Sequence, residues 1–147
     1  MDELIHRSQY RVLYGDTDAA AVVYNANYLR YFELGRTEFM RDRVCTYREI
    51  EQMGIVLPVT ECHIRFKAPA RYDDLLIIET ILTDLKKVTC TFSYRILREE
   101  DGSKLRFLAK GFTTHASVNR EGKLTALPRE ITQKLQPFLA NPSSPQG

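Results

Sequence analysis

Two carboxylates stand two residues apart in Tyr14-Gly15-Asp16-Thr17-Asp18, after a strand pattern and before a helix pattern. A carboxylate at such a junction can project at a cleft, where general-base and nucleophilic chemistry use this residue type. From position alone Asp18 reads equally as a helix N-cap or Asx-turn residue, and Asp16 as a turn-former. The start of the following helix offers unsatisfied backbone N–H groups that favour negative charge. Glu33 and Arg36, i and i+3 on that helix, read as an ion pair. Lys86-Lys87 interrupts two strand patterns as a basic, solvated corner. Cys62 and His63 are adjacent on a strand, so their side chains point to opposite faces and cannot form a dyad. His115 lies among Thr113, Thr114 and Ser117 without an evident partner, and neither histidine has zinc-ligand spacing. Asp16, Asp18 and Glu33 have no further ligand cluster nearby in sequence, so no metal site is expected. Motifs of the Gly-x-Ser-x-Gly, P-loop and Gly-x-Gly-x-x-Gly types are absent.

The elements that must position these residues follow from periodicity. In residues 9–14, Tyr10, Val12 and Tyr14 alternate with Gln9, Arg11 and Leu13, the period of a half-buried strand. Tyr28, Phe32, Gly35 and Phe39 then recur at i, i+4, i+7 and i+11, one face of a helix. Gly35 on that buried stripe lets the helix approach a neighbour closely. Residues 46–53 form a second short helix ending at Gly54. Residues 60–67 alternate Cys62, Ile64 and Phe66 with Glu61, His63, Arg65 and Lys67, which predicts one buried and one wet face. Residues 75–85 are almost continuously apolar, residues 88–97 alternate again, Asp101-Gly102 supplies a hairpin turn, and residues 105–118 carry the longest strand pattern. A short segment follows at 129–135. An apolar-striped helix must bury its stripe against such a sheet, an α+β layout.

The 147 residues fit one domain, assigned to 1–136, with a tail at 137–147 expected to be disordered. The formal charge of +2 and the apolar share of 44% exclude a disordered chain and give no nucleic-acid footprint. Residues 1–10 hold no apolar run, so neither a secretory signal nor membrane insertion is expected, and the location is taken as cytoplasmic. Cys45, Cys62 and Cys90 make an odd count without metal spacing and read as free thiols, Cys62 and Cys90 as small buried hydrophobes.

The run from Tyr14 to Tyr28, with Tyr31-Phe32-Glu33 and Arg36 behind it and Phe66-Lys67-Ala68-Pro69-Ala70-Arg71-Tyr72-Asp73-Asp74 later, resembles the signature of the 4-hydroxybenzoyl-CoA thioesterase-like family of hotdog-fold acyl-CoA thioesterases. The resemblance covers about residues 8–130. It implies a hotdog fold, one long central helix wrapped by a five-stranded antiparallel sheet, and hydrolysis of an acyl-CoA or aroyl-CoA without metal or redox cofactor, coenzyme A being part of the substrate. It places the catalytic carboxylate at Asp18, as nucleophile or general base, and the oxyanion-binding amide at Asn25. Glu33 is the reserve catalyst, and Lys86 and Lys87 meet the coenzyme A phosphates. Tyr24, Tyr28, Val59 and Phe66 are the acyl-pocket candidates, with Phe92 beside them, subject to strand register. A homodimer with sites at its interface, and a homotetramer built from it, also follow from the resemblance. The sequence departs from the family pattern at Asn25, where many relatives carry His, and at Ala21, where they usually have Gly. A hotdog protein that binds acyl-CoA or acyl-carrier protein without hydrolysing it is the alternative those departures raise.

Overall fold

The computed structural model describes residues 4–140. Strand β1 (His6–Arg11) leads through a 3-10 turn and a loop into helix α1 (Asn27–Arg43), followed by α2 (Tyr47–Gln52), β2 (Val59–Phe66), β3 (Leu75–Leu85), β4 (Thr89–Glu100), β5 (Lys104–Ala116) and α3 (Arg129–Leu135). The five strands form one antiparallel sheet in the order β1-β3-β4-β5-β2. The first strand lies earlier than the 9–14 pattern suggested, because Tyr14–Asp16 turns as a 3-10 segment and removes Leu13 and Tyr14 from the pleat.

Helix α1 lies against the inner face of the sheet. A Cβ on Gly35 would stand 2.5 Å from Thr80 Oγ1 and 2.7 Å from Ile78 Cγ2, so only glycine permits this approach. Around it Phe32 stacks on Tyr94 with centroids 4.3 Å apart, and Phe39 meets Phe92 edge-on at 5.4 Å. Both helix aromatics are fully buried, as are Tyr28, Tyr31, Leu76, Ile78, Leu82 and Ile96.

Several sequence expectations are corrected here. Arg36 forms no ion pair with Glu33 among the described residues; its charge instead acts on Tyr47, Tyr94 and His115. Strand β2 is mostly exposed, with Ile64 half-buried against the core and Phe66 meeting Tyr28 of α1, and Cys62 stands exposed on this sheet edge rather than buried. Cys90, on the covered strand β4, is buried, and burial pushes its thiol up to about 12. Residues 137–140 are not a loose tail. Gln136–Phe138 forms a 3-10 turn, Phe138 packs on Phe39, and Ala140 N–H donates to Leu82 O at 2.9 Å. Residues 141–147 lie outside the described residues. No helix among the described residues is long and apolar enough to cross a membrane.

His115 does have partners. Its Nδ1 lies 3.0 Å from Leu57 O, its Nε2 2.8 Å from Thr113 Oγ1, and that hydroxyl 2.6 Å from the Tyr94 hydroxyl. A carbonyl only accepts, so Nδ1 carries the proton, Thr113 donates to Nε2 and Tyr94 donates to Thr113. A second proton on the ring would break this chain. Burial, reinforced by the Arg36 charge, lowers the imidazole pKa to about 4.

Between pH 6.5 and 4 the unfolded chain therefore binds a proton at His115 that the folded chain refuses. This contribution is intact above pH 6.5 and is lost as pH falls, by about 3 kcal/mol in all. Urea unfolding across this range should show that decline in the wild type and a shallower one in His115→Gln. Parallel slopes would remove His115 as the cause.

Candidate active site

The loop between β1 and α1 is a small hairpin. Thr17 and Val23 form an antiparallel bridge, Asp18 N–H donates to Val22 O at 2.9 Å, and Ala21 N–H to Asp18 O at 2.9 Å. Its second arm is tied to the loop before β3 by Val23 N–H on Ala70 O, 2.8 Å. Asp18 stands exposed at the tip with Oδ1 accepting from Ala20 N–H at 2.8 Å, an Asx-turn. The turn closes through Ala21 at φ 66, so this position does require the left-handed backbone that glycine supplies without strain.

Asp16 is more than a turn-former. Its side chain is 4% exposed, and Oδ2 accepts from Tyr10 OH at 2.6 Å, Tyr31 OH at 3.0 Å and Leu13 N–H at 3.1 Å. Arg30 Nη1 lies 3.7 Å from Oδ1. Burial alone would raise its pKa, but these donors and the Arg30 charge outweigh burial and hold the carboxyl below its ordinary value. The same contacts act in reverse on the phenol: burial first, then the Asp16 carboxylate, raise Tyr10 to about 12.

The hairpin's second arm ends at Asn25. Around it Tyr24 N–H donates to Asp16 O, Asn27 N–H to Tyr24 O and Tyr28 N–H to Asn25 O, at 3.0, 2.8 and 3.2 Å. Among the described residues the Asn25 N–H meets no acceptor, and Asn25 is exposed. Asn25 and Tyr28 line a cleft of about 210 Å³ with Val22, Val23, Phe66 and Lys67, closed by Ala68 and Pro69. The cleft is mostly apolar, with Phe66 set edge-on to Tyr28 at 5.0 Å.

The remaining sequence candidates are scattered. Glu33 lines a different cleft, of about 280 Å³, with Tyr10, Arg30 and Tyr31. Tyr24 is 56% exposed and off the wall of the Asn25 cleft. Val59 begins β2 while Phe66 ends it, on the order of 23 Å away along a strand. Phe92 is in the core against Phe39. Lys86 and Lys87 follow the far end of β3, whose near end pairs with Arg11; about ten residue steps along the strand separate these ends by on the order of 34 Å. Lys86 there sits 3.7 Å from Asp84 and is 70% exposed. Sequence reasoning missed Val22, Val23 and Lys67 as cleft residues and Asn27 beneath the hairpin; only the 66–74 run hinted at the cleft wall. No group of three His, Cys, Asp or Glu side chains among the described residues could hold a metal ion.

A five-stranded antiparallel sheet packed on one long helix, with the Asp18 hairpin at that helix's N-terminus, is the hotdog fold of thioester hydrolases. The model of the thioesterase-like superfamily matches residues 12–135, and the chain belongs to that family. It is 39% identical over 124 residues to an acyl-CoA thioesterase of Haemophilus influenzae, covering 82% of this chain and 87% of the relative. It is 28% identical over 118 residues to the 4-hydroxybenzoyl-CoA thioesterase of a Pseudomonas species, covering 78% and 84%. A crystal structure from Aquifex aeolicus superposes with a TM-score of 0.81 at 32% identity, covering 88% of this chain and 98% of that one.

The strain at Ala21 is testable. Ala21→Gly relieves a left-handed alanine, about 1–2 kcal/mol, and returns about 0.4–1 kcal/mol through the freer unfolded chain. The expected result is a net stabilisation of up to about 1.5 kcal/mol, seen as a higher denaturant midpoint. A destabilised variant would show that the turn does not store this strain.

Proposed function

We propose that the chain hydrolyses the thioester bond of an acyl-CoA to free acid and coenzyme A. The observation that carries this reading is the hairpin, which presents the Asp18 carboxylate at its tip and the unengaged Asn25 N–H at its base. In the general-base route Asp18 takes a proton from water as the water oxygen bonds to the thioester carbon; the tetrahedral intermediate then collapses with cleavage of the C–S bond, and the departing coenzyme A thiolate takes up the proton. In the nucleophilic route its carboxylate oxygen bonds to that carbon, coenzyme A leaves as thiolate, and water then cleaves the mixed anhydride. In both routes the Asn25 N–H donates to the developing oxyanion, where a preorganised donor is worth most. Asparagine at this position costs nothing in this scheme, because the backbone supplies the donor. Reaction by either route uses water and the chain's own groups, with coenzyme A entering as part of the substrate. Relatives named as acyl-CoA thioesterases support the substrate class.

The reading includes a second copy of the chain. Strand β2 is an open sheet edge, and Val59 and Phe66 on it are 45% and 48% exposed. Pairing of two such edges satisfies the free backbone groups and covers these side chains. It also completes the wall of the Asn25 cleft, which Phe66 forms from β2. Contact between the Lys86-Lys87 corner and coenzyme A at this cleft requires another subunit, because within one chain the corner lies at the far end of β3. Two dimers would then form the tetramer.

Thiol release from short, long and aromatic acyl-CoAs tests the reaction. Asp18→Asn keeps an oxygen to accept the Ala20 N–H, so the turn survives while kcat should fall by at least about 100-fold. Undiminished turnover in Asp18→Asn would exclude its role, and no turnover of any acyl-CoA would favour a non-hydrolytic binder. Sedimentation equilibrium should return two or four times the 17.0 kDa chain mass. A fully active monomer would overturn the shared site.

A further inference from the structure

Besides the Val23 N–H on Ala70 O, the hairpin that carries Asp18 and Asn25 is tied to the core through Asp16, a residue with two faces. The Asp16 carboxylate is saturated by groups of the core: Tyr10 OH, Tyr31 OH and Leu13 N–H on Oδ2, with Arg30 beside Oδ1. Its carbonyl faces the loop and accepts twice, from Tyr24 N–H at 3.0 Å and from the Asn27 side-chain amide, Nδ2, at 2.8 Å. Both lone pairs of that carbonyl are therefore engaged. Tyr24 is the residue next to Asn25, and Asp16 is two residues from Asp18. The two groups assigned to the reaction thus hang from the two sides of one fixed peptide.

We propose that Asn27 is a positioning residue, which acts through the Asp16 carbonyl to set Asp18 and the Asn25 N–H relative to each other. This rests on the thioesterase reading given above. Asn27 is the first residue of α1, the helix seated directly on the sheet at Gly35. Its amide transmits the helix position to the loop, whose own bonds at the tip are confined to a few backbone contacts. A small residue at the start of a helix suffices for the fold, whereas only a side chain with an N–H at this reach can hold the Asp16 carbonyl. Misplacing reacting groups by about 1 Å costs on the order of 100-fold in rate. Asn27 touches neither the carbonyl carbon nor the oxyanion in this scheme, so its contribution appears in kcat and leaves substrate affinity largely alone.

Asp16 itself is a poor probe, since removing its charge strands several buried donors and endangers folding. Asn27→Ala is better, because alanine favours the helix and offsets the lost bond. Asn27→Asp, isosteric but without a donor, is the companion, and its charge suits a helix N-terminus. Each should lower kcat about 10- to 100-fold with KM within about threefold of wild type and little change in thermal midpoint. Hydrogen exchange supplies a readout independent of activity. The Asp18, Val23 and Tyr24 amides, all engaged within or beside the hairpin, should exchange at least about tenfold faster in both variants, while β4 and β5 amides keep their protection. Unchanged kcat, a KM effect alone, or exchange that quickens equally throughout the sheet would overturn the positioning role. If the wild type turns over no acyl-CoA, the thioesterase reading fails by itself, and the clamp stands or falls on whether loop protection depends on Asn27.

Discussion

Everything at the candidate site is referred to the contact between α1 and the sheet at Gly35. Glycine inside a helix costs about 1 kcal/mol relative to alanine, yet here it brings the helix against Thr80 and Ile78 where no Cβ would fit. That approach lets Phe32 and Phe39 bury fully on Tyr94 and Phe92. Each such side chain is worth about 1.5–3 kcal/mol, so packing outweighs propensity. The seating of the helix then fixes its N-terminal turn. Tyr31 reaches Asp16 from it, Tyr28 accepts the Ala70 N–H at 3.2 Å, and Asn27 reaches the Asp16 carbonyl. The hairpin and the loop before β3, which together form the cleft, are both pinned to one helix end.

The helix covers the sheet more fully at its β1 edge than at its β2 edge. At β1 the helix covers the inner face: His6 Nε2 lies 2.7 Å from Asp42 and Tyr10 packs on Tyr31 at 5.0 Å. At β2 the cover is thinner: Ile64 is half-buried against the core and Phe66 meets Tyr28, while Cys62 stands in solvent. The cleft wall inherits this asymmetry. Tyr28 is fully buried under Phe66, while Phe66, on the open edge, is half exposed. At such an edge the polar groups of the cleft are fixed by the helix end while its apolar wall at Phe66 stays half open.

Much of this architecture was legible in the sequence. The stripe Tyr28, Phe32, Gly35 and Phe39 located the helix and its buried face, and the alternation in β3, β4 and β5 located the covered strands. The failures share a physical cause: periodicity reports which residues are apolar, not what covers them. The pattern of Cys62, Ile64 and Phe66 is that of a half-buried strand, and only sheet order reveals that β2 is an edge whose cover reaches Ile64 and Phe66 and leaves Cys62 exposed. Arg36 looks like a surface partner for Glu33 by spacing, but its charge is felt by Tyr47, Tyr94 and His115. Such placement of a cation near phenols depends on residues 11 and more positions away. Lys86-Lys87 was correctly read as a corner, and its distance from the hairpin follows from strand length and antiparallel pairing.

The two aspartates of the loop show how little residue type decides by itself. On an extended strand Asp16 and Asp18 would share a face. The 3-10 turn at Tyr14–Asp16 breaks that alternation and rotates Asp16 into the core, where three donors converge on one carboxylate oxygen. A carboxylate so saturated, with its pKa held down, is a weak base and a hindered nucleophile. Thr17 then returns to extended backbone, and the chain re-emerges with Asp18 at the surface. One carboxylate therefore becomes the anchor and the other is left available, by a local change of backbone that no difference in composition could signal. That division explains why an acidic pair two residues apart need be neither a metal site nor an acid–base couple: the first charge is spent on shape so that the second can be placed.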